Sequence, residues 1–182
     1  FGTICPDIEI KVVSAPTPDL HRLLHARQID MALVSSPVAE TDGKASDIAR
    51  TEQLAWVGSK PALELHDFGM GIGGGDSTPI PLALAASNAL DHKAACDAMD
   101  AARMPYKISY ASNSLAGLIA VARSGLAISV MMQKAVPSDL YILKSPLPPL
   151  PKLGLKVATG EGPQSPAIAA FGDHIVKMLP FL

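Results

Sequence analysis

An excess of basic charge is what this 182-residue sequence most plainly lacks: 15 Lys plus Arg stand against 17 Asp plus Glu, a formal net charge of −2. A free-standing nucleic-acid binder needs a basic excess to neutralise phosphates, so the chain by itself falls outside that class. Cysteine is scarce as well. Cys5 and Cys96 form no CxxC pair and no metal-spaced cluster, so neither a disulfide framework nor a zinc site is expected, and reduced thiols in a cytosolic setting are. Long apolar runs are missing: stretches such as Leu115–Ala122 stop well short of the ~18 residues of a membrane span. The opening FGTICPDIEIK has no basic n-region, apolar h-region or small-residue cleavage site. It also has no initiator methionine, and the expectation is that an upstream segment has been lost. What the chain does have is 48% hydrophobic and 18% charged residues, a balance that excludes intrinsic disorder. Its length suits one large domain or two small ones at about 100–200 residues per domain.

Ile8–Val12 alternates apolar and polar residues, which predicts a strand with one buried face. Thr17-Pro18-Asp19 predicts a helix start, threonine at the N-cap and proline at the first helical position, with Leu20, Leu23, Leu24 and Ala26 along one face. Ile29–Val34 is nearly continuous in apolar residues, as a buried parallel strand would be. Together these predict a right-handed strand–helix–strand crossover. Pro37–Asp47 is polar and small, a surface loop, and Gln53–Val57 is a further strand holding the lone tryptophan, Trp56. After a glycine-rich stretch at Pro61–Pro81 the pattern restarts. Leu82–Ala86 is a strand, Leu90–Arg103 a helix, Tyr106–Tyr110 a strand, Leu115–Ser124 a helix closed by Gly125, and Leu126–Met131 a strand. Prolines at 146, 148, 149 and 151 make a stiff connector. Leu153–Ala158 is a last strand, and Ser165-Pro166 starts a last helix whose stripe of Ile168, Phe171, Ile175, Met178 and Leu182 should bury against the first module. The fold class expected is therefore α/β, as two modules in one chain.

Several motifs that would carry chemistry fail on context. Gly69, Gly71 and Gly74 satisfy GxGxxG, but no strand directly precedes them and Pro79 and Pro81 block a following helix. His21 and His25 share a helix face, yet Arg22, Leu23 and Leu24 fill the middle where a zinc protease needs glutamate. There is no GxSxG elbow and no carboxylate pair, so neither an enzyme nor a cofactor or metal is expected. Ser112-Asn113-Ser114 lies where a strand ends and a helix begins. Free backbone N–H groups there, with hydroxyls beside them, suit a carboxylate or other small anion, although serine at such a place can equally serve as a helix cap. Ser14-Ala15-Pro16-Thr17 occupies the corresponding corner of the first module, and Ser59 the predicted crossing between modules. Ligands of open α/β sheets bind outside the carboxyl ends of strands. The candidate ligand-binding residues are thus Ser112, Asn113, Ser114, Ser14 and Ser59, expected to face one another across a cleft.

Cys5–Ile10, Leu20…Leu24 and Gln28–Leu33, continued by Leu54–Gly58, Pro81–Leu84, Ser112–Leu115 and Ser124–Ile128, resemble in order and spacing the effector-binding domain of LysR-type transcriptional regulators. That resemblance implies two Rossmann-like α/β subdomains joined by crossing strands, similar to periplasmic solute-binding proteins. Residues 1–58 plus 150–182 would form subdomain I and residues 59–149 subdomain II. It implies a small-molecule effector held between them, which controls DNA binding through an N-terminal winged helix-turn-helix that this chain does not contain. It also implies a cytoplasmic homodimer or higher homo-oligomer. The family's first strand and the start of its first helix are expected to be missing. By position, the Ser112 and Ser14 corners match family cleft positions, and Ser59 does so more weakly. A periplasmic solute-binding protein of a transport system remains the alternative on the same fold.

Overall fold

The computed structural model describes residues 2, 5, 6, 8–38, 49–61 and 79–179. Most of the loop expected at Pro37–Asp47, nearly all of the glycine-rich stretch and the whole Gly69–Gly74 motif lie outside the described residues. In chain order the elements are α1 (Thr17–His25), β1 (Met31–Pro37), β2 (Arg50–Gly58), β3 (Ile80–Leu84), α2 (Leu90–Ala101), β4 (Tyr106–Ala111), α3 (Leu115–Ser124), β5 (Ile128–Met132), β6 (Tyr141–Leu143), β7 (Lys152–Thr159) and α4 (Pro166–Met178). They form two compact units, Phe1–Thr51 with Leu153–Leu182, and Glu52–Lys152. Compared with boundaries at 58/59 and 149/150, residues 52–58 and 150–152 belong to the second unit. The reason is pairing: Leu54–Val57 runs antiparallel to Ser129–Met132, and Trp56–Gly58 to Tyr141–Leu143.

In the first unit β1 pairs antiparallel with β7 through seven residue pairs, from Met31↔Thr159 to Pro37↔Leu153. The expected parallel crossover is therefore corrected. Ile8–Val12 is not a strand: Ile10 is 44% exposed and Val12 87%. Alternation marks which face a strand would bury, but a strand also needs a neighbour to take its N–H and C=O groups. The backbone bond described in this segment is a local turn, Ile8 N–H to Cys5 O at 3.3 Å. Helix α1 begins one residue earlier than expected, with Pro16 at the N-cap and no side-chain cap. The Thr17 hydroxyl instead accepts from the Ser35 amide of β1 at 3.2 Å, while the Pro16 carbonyl takes the amides of Asp19 and Leu20. Leu20 and Leu24 of α1 pack on Ala32 and Val34. Ala26, expected on that face, is exposed at the C-cap. Helix α4 is capped by the Ser165 hydroxyl, which accepts from the Ile168 amide at 3.3 Å. It packs on β1 and β7 through Gly172, where a Cβ would stand 3.0 Å from Met31 Cε and 3.9 Å from Val157 Cγ1. Its apolar stripe is only half covered: Ile168, Phe171 and Ile175 are intermediate and Met178 is exposed.

In the second unit the strand order is β2-β5-β3-β4, with β6 beside β2. β3 is parallel to both β4 and β5. The interior consists of continuous apolar runs, with Leu82, Ala83, Leu84 and Val57 fully buried, each larger side chain contributing roughly 1.5–3 kcal/mol by burial. Trp56, 3% exposed, donates its indole N–H to Pro148 O at 2.8 Å. Gln53 donates to Leu150 O at 2.8 Å, so the proline-rich connector is fastened along β2. The chain moves outward from β3 to β4 through α2, then back past β3 to β5 through α3. Right-handed crossovers in opposite directions put α2 and α3 on opposite faces. Both helices therefore start at the carboxyl edge of two adjacent parallel strands, at the point where the strand order reverses.

Candidate functional site

That edge is built from two strand-to-helix corners in one unit. β4 ends at Ala111, and the Ser112 amide continues the parallel ladder one step by donating to Leu84 O at 3.1 Å. The Asn113 carboxamide oxygen then accepts the Ala86 amide at 3.2 Å. These two bonds tie the β4–α3 corner to the β3–α2 corner, and they commit Asn113 Oδ1 to holding the loops together.

Serine does two jobs in the first turn of α3. Ser114 is the N-cap, and its hydroxyl accepts from the Gly117 amide at 3.3 Å. The Ser112 hydroxyl accepts from the Ser114 amide at 3.1 Å. The first amides of a helix have no intrahelical acceptor, and these two hydroxyls satisfy part of that set. Among the described residues, the amides of Leu115 and Ala116 have no acceptor, and both residues are exposed. Each hydroxyl that accepts here still has its own hydrogen to donate. No acidic residue lies in the first turn, while Arg123 in the last turn holds Asp139 through two bonds, one of them Nη2 to Oδ1 at 3.0 Å. The Arg123 guanidinium keeps the Asp139 carboxyl below the ordinary carboxylate range. The first turn of α3 thus supplies no carboxylate of its own to the positive end of the helix dipole.

The neighbouring α2 corner is arranged differently. Its N-cap is Ala89, without a side-chain cap, and Asp91 sits in its first turn. The Asp91 carboxylate accepts the His92 amide at 2.9 Å. Burial pushes the Asp91 carboxyl up, with backbone hydrogen bonds and the charge of His92 pulling the other way. The His92 ring bonds Ala85 O through Nδ1 at 2.8 Å, and because a carbonyl only accepts, the proton of that bond is on Nδ1. Asp91 and His92 were not among the residues singled out from sequence. The visible signal was only an aspartate near a helix start.

Of the five sequence candidates, the structure brings Ser112, Asn113 and Ser114 together. Ser59 lies elsewhere. Its hydroxyl is 3.0 Å from where a Cβ on Gly125 would stand, so it packs at the C-terminal end of α3. That is roughly 15 Å along the ten-residue helix from Ser114 at 1.5 Å per residue. Ser14 is exposed in the first unit and precedes the N-cap of α1 by two residues. At that corner the residue engaged with the sheet is Thr17, through Ser35. Among the described residues no group of three or more His, Cys, Asp or Glu could hold a metal ion. No helix there is long and apolar enough to cross a membrane.

Comparison with known proteins bears on this geometry. The family model described as "LysR substrate binding domain" matches residues 4–180. The HTH-type transcriptional regulator DgdR of Burkholderia cepacia is 44% identical over 184 aligned residues, which take in all of this chain. The chain spans 58% of that relative's length. Among solved structures, the bromide-bound regulatory domain of HypT from Salmonella typhimurium superposes with a TM-score of 0.72 at 13% identity, covering 99% of this chain and 88% of that one. The regulatory domain of CcmR from Synechocystis PCC6803 in complex with 2-PG gives 0.67 at 14% identity, covering 97% and 86%. The effector-binding domain of QuiR in complex with shikimate gives 0.61 at 13% identity, covering 90% and 78%. At such identities the likeness is one of fold, the mixed α/β fold of these regulatory domains.

Proposed function

The chain belongs to the LysR substrate-binding domain family, and from that premise we propose that it is the effector-sensing domain of a LysR-type transcriptional regulator. In the longer protein it governs DNA binding by an N-terminal winged helix-turn-helix. The protein is cytoplasmic and a homodimer, since two-fold operators call for two-fold proteins. Family domains of this kind are not an enzyme class, and in our reading this one performs no catalysis.

The effector in this reading is a small molecule with an anionic group, a carboxylate by preference, seated at the first turn of α3. One observation carries the assignment: the exposed amides of Leu115 and Ala116 have no acceptor among the described residues, in a helix whose first turn lacks any acid. Helix N–H donors and the dipole end together favour an anion. The Ser112 and Ser114 hydroxyls add two donors, and Asn113 positions the loop. Shikimate and bromide, bound by two relatives of the same fold, are both anions. This contact set leaves out Ser59, at the far end of α3, and Ser14, in the other unit. Binding signals only through a difference in affinity between two states of the protein, because a ligand that binds both equally shifts nothing.

Calorimetric titration with a panel of short carboxylates, with primary amines as the contrasting arm, tests the reading. Carboxylates are expected to bind and amines not to. The combined Ser112→Ala, Ser114→Ala chain should lose roughly tenfold or more in affinity, the worth of two hydrogen bonds at about 1 kcal/mol each. Binding that survives both substitutions unchanged removes this corner from the site.

A further inference from the structure

We draw no further inference here: the strongest candidate, the surface patch on the outer edge strand β4 where Ile108 and Tyr110 are 39% and 38% exposed, carries none because nothing in the structure shows what covers it.

Discussion

Helices α2 and α3 begin side by side at the carboxyl ends of β3 and β4, yet they dispose of the same electrostatic feature in opposite ways. The second residue of α2 is Asp91, a carboxylate that lies against its own helix start and accepts the His92 amide. The corresponding second residue of α3 is Ala116, exposed, with an amide that has no acceptor among the described residues. α2 lacks a capping side chain and supplies its own negative charge; α3 has serine caps and supplies none. A helix dipole answered from within is closed to a ligand anion, whereas one left unanswered at an exposed corner is open to it. Equal backbone geometry therefore does not make equal sites. One position in the first turn decides.

The comparison breaks most sharply if α3 is given what α2 has. Ala116→Asp should abolish carboxylate binding, or weaken it by roughly tenfold or more, because a fixed carboxylate then occupies the dipole end and repels the guest. Stability should stay level or rise by about 0.3–1 kcal/mol, the usual worth of an acid at a helix start. Calorimetry and urea unfolding on the same sample separate the two effects. If Ala116→Asp still binds as wild type does, the guest sits elsewhere. Exchanging the caps is the next test and concerns stability alone. Ser114→Ala should cost about 1 kcal/mol, and Ala89→Ser should return up to about the same to α2. Matched urea-unfolding midpoints of opposite sign would establish the two starts as equivalent in backbone and different only in side chains. A silent Ala89→Ser would show that Asp91 already does the work of a cap.

How much of this was legible in advance divides along local and non-local lines. The bounds of α3, Leu115–Ser124, follow from its own ends: serine before it, and after it Gly125, whose φ of +74° suits glycine. The buried runs of β2, β3 and β5 were visible because a fully covered strand is apolar throughout. Pairing was not visible. Met31–Pro37 takes β7 as its partner from more than a hundred residues away, and nothing in Ile8–Val12 reveals that no strand among the described residues pairs with it. The start of α1 was misplaced by one residue because the Thr17 hydroxyl bonds Ser35, eighteen positions on, in place of its own first turn. Ser59 looked like a crossing residue near a ligand, and only the fold shows it against Gly125. Asp91 was missed for the same reason, since its burial is a tertiary fact.

That burial yields the smallest effect, with a definite sign. Desolvation is the largest influence on Asp91 and raises its carboxyl above the ordinary value. The folded protein therefore keeps this proton to higher pH than the unfolded chain, whose aspartates titrate near about 3.9. Between those two values the folded state binds more protons, so stability from this group falls as pH rises, and above the window the ionised carboxylate is a standing cost. Asp91→Asn keeps an acceptor for the His92 amide while removing the charge. It should erase that decline above about pH 4 and leave stability near neutral pH level or slightly raised, as read from urea midpoints across the acid range. Should Asp91→Asn prove less stable than wild type at neutral pH, the attraction of the carboxylate to the α2 dipole and to the His92 amide outweighs its desolvation. The opposition between the two helices would then be stronger than burial alone suggests, because α2 would be drawing net stability from the very charge that α3 leaves to its guest.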